Sequence, residues 1–121
     1  MLKKRIKATN IELTDAIREY AEKKVDAISK FVKEEVEALA EIEVGKTTNH
    51  HHKGDVFRAE INLSLGDKQF RTVVVEDDLY KAIDKMKDGI VNEVKDANKK
   101  RIQLLKKGHQ KIKDMLRRFR R

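Results

Sequence analysis

The sequence predicts an α+β fold, a two-layer β-α-β-β-β-α sandwich with a four-stranded sheet and two helices on one face. Two segments carry apolar residues at three- and four-residue steps, the spacing of an amphipathic helix. Four shorter segments alternate apolar and polar residues, and the last three of these follow one another through short polar or glycine-bearing connections. There is no proline and no low-complexity linker before Gly108, so these elements belong to one domain.

The first strand is residues 2–8, where Leu2, Ile6 and Ala8 alternate with Lys3, Arg5 and Lys7, and only Lys4 breaks the pattern. Thr14 is placed to cap a helix whose apolar positions Ile17, Tyr20, Ala21, Val25, Ile28, Phe31 and Val32 carry it to about Lys33. Residues 36–44 return to alternation, although Leu39 blurs it, and the later part fits a strand best. A polar connection, GKTTNHHHK, occupies residues 45–53, and Gly54 and Asp55 lead into a clean alternation over residues 57–65. Gly66, Asp67 and Lys68 make a short turn, and the β-branched run QFRTVVV completes a hairpin.

The long helix follows directly, over residues 77–107, with Asp77 and Asp78 placed to cap its first turn and complement its dipole. On a wheel of 3.6 residues per turn, Leu79, Ile83, Met86, Ile90, Val94, Ala97 and Leu104 form the stripe expected to face the sheet. Lys81, Lys85, Lys95, Lys99 and Lys106 fall in an arc of roughly 80° on the other side. Asn92 joins that arc and Asp88 interrupts it. Beyond Gly108, Ile112, Met115, Leu116 and Phe119 stand at helical spacing among six Lys or Arg. Residues 1–107 are therefore read as the domain and 108–121 as a basic amphipathic tail, ordered on a partner.

Composition narrows the functional classes. Without cysteine there are no disulfides, thiolate metal sites or cysteine nucleophile. No run reaches the length of a membrane span, and the N-terminal residues lack the apolar segment of an export signal. A cytoplasmic protein with no membrane partner is expected. His50, His51 and His52 stand together, but consecutive loop residues rarely converge on one ion and His109 is distant, so no metal or other cofactor is expected. Glu41, Glu43, Glu60 and Asp67 accompany no nucleophile or base in a recognisable motif, and no glycine-rich phosphate loop is present. The expected function is not enzymatic.

Charge points elsewhere. Residues 1–80 hold 14 Lys or Arg against 16 Asp or Glu, whereas residues 81–121 hold 15 against 5, so the formal +8 of the chain is a C-terminal property. Such clustering is the electrostatic footprint of a polyphosphate partner, although it can also serve solubility alone. The sparse aromatics sit mostly on apolar faces, which disfavours base-stacking on single strands and leaves a charged helical surface suited to structured RNA.

Three segments carry a family resemblance: IELTDAIREYAEKK at residues 11–24, FRAEINL at 57–63 and DLYKAID at 78–84. In this order and spacing the chain resembles the ribosome hibernation-promoting factors, also called ribosome-associated inhibitors or sigma-54 modulation proteins, over roughly residues 1–107. The resemblance implies a fold related to double-stranded RNA-binding domains. It also implies occupation of the small ribosomal subunit where mRNA and the A- and P-site tRNAs lie. By position it places small-subunit rRNA contacts on Lys23, Lys24 and Lys30, and on Lys81, Lys85, Lys95, Lys99, Lys100 and Arg101. Asn92 of the lysine row, with Lys106, Arg117 and Arg118 further along, completes the candidate RNA-binding set. Many relatives are basic where this chain has Gly89, Asn92 and Asp96, which shifts weight towards the tail. The chain resembles the short form of the family, monomeric off the ribosome and without a DNA partner.

Overall fold

A computed structural model of the chain describes residues 2–33, 35–47 and 56–119. The elements run β1 (Leu2–Thr9), α1 (Asp15–Asp26), a 3-10 segment (Ala27–Phe31), β2 (Ala38–Lys46), β3 (Phe57–Leu65), β4 (Lys68–Glu76) and α2 (Leu79–Phe119). The strands form one sheet in the order β1-β2-β3-β4, with β1 parallel to β2 and the remaining pairs antiparallel. The parallel pair needs a crossover, which α1 supplies, and the antiparallel hairpin turns at Gly66 with a φ of 61°, a conformation that glycine adopts without penalty.

One core lies between the layers. Ala40, Ile42, Val44, Ala59, Ile61 and Leu63 from the sheet meet Ala21, Val25 and Ile28 from the first helical segment and Leu79, Ile83, Met86, Ile90 and Val94 from α2. Period-two burial along β2 and the exposure of Glu41, Asn62, Arg71, Val73 and Val75 leave the other face of the sheet open. Lys4 breaks the alternation of β1 because it points to the helical side, where its ammonium pairs with Asp26 at the end of α1.

Helix starts follow the sequence signals. Thr14 accepts a hydrogen bond from the Ile17 amide at 3.2 Å, and Asp78 accepts one from the Tyr80 amide at 2.8 Å. Helix ends do not. The first helix tightens into 3-10 geometry after Asp26, whose carbonyl accepts the Ser29 hydroxyl at 2.6 Å, and extended Val32 closes it before Lys33. The second helix continues through Gly108 to Phe119 instead of ending at Lys107. No proline lies beyond Gly108, most residues there are good helix formers, and Gln110 donates to Asp114 one turn on at 3.0 Å. Strand β2 likewise keeps Gly45 and Lys46, which the sequence assigns to the connection.

The core stripe of α2 is shorter than its periodicity implies. Ala82 and Val91 join it, Ala97 is its last half-buried member, and Leu104 is 68% exposed because the helix has by then run past the sheet. Residues 99–118 are exposed on every side and extend about 30 Å at 1.5 Å per residue. Among the described residues, no helix is long and apolar enough to cross a membrane.

Candidate nucleic-acid interface

The outer side of the helical layer gathers the sequence-predicted cations, and its geometry is set by two bridges between the helices. At one, Tyr20 donates its hydroxyl to Asp84 at 2.6 Å, Lys24 reaches the same carboxylate at 3.2 Å, and the Tyr20 and Tyr80 rings meet edge-on at 4.8 Å. At the other, the Lys95 ammonium lies 4.8 Å from the centre of the Phe31 ring. Both bridges advance by eleven residues on either chain segment, from Tyr20 to Phe31 and from Asp84 to Lys95. The two helical segments therefore run side by side in the same direction. The carboxylate bond pushes the Tyr20 hydroxyl up to about 12 with help from burial. Burial alone would raise Asp84, but the Tyr20 hydroxyl and Lys24 hold it below the usual carboxylate range.

These bridges divide the candidate residues into two groups. Lys24 is held by Asp84 and by the Tyr20 ring, and Lys95 by the Phe31 ring. Lys81 lies 3.6 Å from both Glu76 and Asp77, and Lys85 pairs with Glu76. The bond from Lys85 depresses Glu76 below its ordinary range. The second group comprises Lys23, Lys30, Lys99, Lys100, Arg101, Lys106, Arg117 and Arg118. All are exposed, and none forms an ion pair with another described residue. Asn92 is exposed between the groups. The structure thus brings the first-group lysines together on local anions and ring faces, whereas most of the second group lies along the projecting end of α2.

Sequence reasoning passed over Lys107, Lys111 and Lys113, which the continuous helix presents with the rest. Residues 99–118 carry nine Lys or Arg and one Asp, a net +8. The unbroken run of helix-forming residues was the signal available for them. Gly89 differs from its expected place. A Cβ there would lie 2.8 Å from Thr72 Cγ2 of β4, so this position faces the sheet and takes no cation from the outward row. The outward positions thinned of charge are Asn92 and Asp96, both exposed. The sheet's open face carries its own cluster, in which Glu60, 8% exposed, accepts from Arg71 at 2.6 Å and Arg58 at 3.1 Å. The histidine run at 50–52 lies outside the described residues, and no grouping suited to a metal ion occurs among the described ones.

The fold and this surface define an α+β domain that presents its helical layer, with a basic extension, as its charged face. The chain belongs to the family of sigma-54 modulation proteins and S30EA ribosomal proteins, whose model matches residues 5–102. It is similar to the N-terminal domain of Protein Y from Thermus thermophilus, with 32% identity and a TM-score of 0.62 over 78% of this chain and 94% of that one. A ribosomal subunit interface protein from Coxiella burnetii has the same fold at 17% identity, with a TM-score of 0.62 over 81% of this chain and 98% of that one. Residues 103–121 lie beyond the family match.

Proposed function

We propose that this protein is a ribosome hibernation factor, which binds the small subunit in its decoding region and stops translation by occupancy. The observation that carries the reading is the outward lysine row of α2 and its exposed basic extension, with Lys23 and Lys30 on the helical segment held parallel beside it, in a chain of this family. Lysines at such positions bind phosphates through counterion release, and rigid spacing selects the shape of a folded rRNA over a base sequence. Lys23, Lys30, Lys99, Lys100, Arg101, Lys106, Arg117 and Arg118 are the principal contacts in this reading, since no anion within the described structure engages them. Lys24, Lys81, Lys85, Lys95 and Asn92 border the same surface. Residues 1–107 supply the ribosome-binding domain and 108–121 its basic extension. The mechanism is steric and requires neither catalysis nor a cofactor, and the protein works in the cytoplasm, monomeric when off the ribosome.

Sedimentation with separated subunits, followed by chemical footprinting of small-subunit rRNA, tests this. Stable association with the small subunit, protection at the A and P sites, and release by excess tRNA and mRNA are expected. Equal affinity for unrelated duplex RNA would instead make the chain a general structured-RNA module.

A further inference from the structure

The projecting end of α2 has a second face that phosphate binding does not use. Ile102, Leu104, Leu105, Ile112, Met115 and Leu116 are each more than half exposed. Six large apolar side chains along one helix are a candidate interaction patch, of the kind that on monomers covers roughly 300–600 Å². Ile102, Leu105, His109, Ile112 and Leu116 succeed one another at alternating three- and four-residue steps, the seam spacing of helices that pair by knobs into holes. Near Val94 the seam opens into a groove of about 450 Å³, which Ile102 and Leu105 line together with Phe31, Val36 and Phe70 and with the charged Lys33, Asp67 and Lys68.

The charges beside the seam decide what covers it. In heptad register Lys106 and Lys113 border one side and Arg101 the other; of the acids nearby, Asp114 lies away from the seam and accepts from Gln110, and Asp67 lines the groove at the start of the seam together with Lys33 and Lys68. Two copies in parallel would set Arg101 against Lys106, and two antiparallel copies would set Lys106 against Lys113, so self-pairing brings like charges together. A partner helix with Glu or Asp at the flanking positions would relieve both and cover the apolar side chains. Helices without tertiary packing are marginal in water, so a docked partner would also supply the stability that this extension lacks within its own chain. We propose that the seam formed by Ile102, Leu105, Ile112 and Leu116 docks an acidic amphipathic helix of another protein.

Fluorescence anisotropy with the full chain, in the absence of ribosomes, tests this apart from the ribosome reading. The probe is a labelled acidic peptide of about three heptads, with Leu at the seam positions and Glu beside them. Binding is expected, with an affinity loss of at least about tenfold in both Ile112→Ser/Leu116→Ser and Lys106→Glu/Lys113→Glu, and unchanged melting of the sandwich. The Ile112→Ser/Leu116→Ser variant should bind duplex RNA as the parent does. Failure to bind, or equal binding of a peptide with the same residues reordered to destroy the seam, would overturn the proposal. So would a dimer of the parent chain that Ile112→Ser/Leu116→Ser dissociates, or binding to phosphatidylglycerol vesicles without binding to the peptide.

Discussion

Replacing Lys99 and Lys106 by Gln should change the salt dependence of RNA binding more than replacing Lys81 and Lys85. The first two lie on the exposed extension with no ion pair to another described residue, while Glu76 and Asp77 already neutralise much of the charge of the second two. A phosphate contact contributes about 0.7 to 0.9 to the slope of log affinity against log salt. Two lost contacts in Lys99→Gln/Lys106→Gln should therefore lower the slope by about 1.4 to 1.8. Between 50 and 200 mM salt, the parent should lose about tenfold more affinity than this variant. Lys81→Gln/Lys85→Gln should lower the slope by less than about one unit, because part of each cation's field is already spent within the chain. It should also lower the melting temperature, since it leaves the largely covered Glu76 carboxylate without either lysine. The exposed pair should melt within about 0.5 kcal/mol of the parent. Small-subunit titrations at four salt concentrations, with thermal denaturation beside them, read both effects. Equal slope changes would refute the division of the lysines into two groups, and an unchanged slope for Lys99→Gln/Lys106→Gln would remove the extension from the RNA interface.

Four further outcomes probe the frame beneath that surface and the sheet behind it. Ile83 is fully buried, so Ile83→Ala should cost about 2 to 5 kcal/mol in urea denaturation. Gly89→Ala should destabilise despite a helix-propensity gain of about 1 kcal/mol, because its Cβ would strike the stiff Thr72 side chain, and in a Thr72→Ser background the same change should stabilise. Burial pushes the Glu60 carboxyl up, but Arg71 and Arg58 outweigh it, and Asp84 is likewise held low. Both have folded values below their unfolded ones, so their contribution is present above about pH 5 and is lost as pH falls through the depressed folded values. Tyr20 has the opposite sign, and its contribution should disappear between about pH 10 and 12 in thermal melts, an effect absent from Tyr20→Phe.

Local signals in the sequence were sufficient where the deciding interaction is local. Thr14 and Asp78 cap because a short side chain meets an amide two or three residues ahead, and residues 57–65 read as a strand because alternation is a property of that strand alone. Ile83, Met86, Ile90 and Val94 fall inward for a similar reason, since the helix period fixes their side. Periodicity could not say where the sheet stops beneath the helix. Leu104 keeps the phase of the stripe with nothing under it, and at Gly89, one residue outside the stripe, a Cβ would lie 2.8 Å from Thr72 Cγ2 of β4. Sheet width and helix overhang follow from four strands assembled across the chain, and neither is written in a seven-residue window.

The candidate site divides along the same line. That the lysines share an outward face follows from spacing, but which of them remain available depends on anions and rings that the fold brings from elsewhere. Asp84 meets Lys24 from 60 positions away, Phe31 meets Lys95 from 64, and Glu76 sits at the mouth of α2 because β4 ends there. The stop placed at Gly108 had a different cause. Glycine ends a helix when its left-handed conformation lets the following chain turn back and satisfy the last carbonyls, a geometry that is useful where there is a surface to turn onto. At Gly108 nothing lies within 4 Å of where a Cβ would stand, and the continuing helix satisfies those carbonyls at a propensity cost of about 1 kcal/mol. The consequence is a helix that continues past Gly108 to Phe119. Lys106, Lys113 and Arg117 keep the angular phase of the lysine row on the domain, whereas the seam of Ile102, Leu105, Ile112 and Leu116 is turned by roughly 80° from the core stripe, so one helix carries both kinds of side chain beyond the edge of its own sheet.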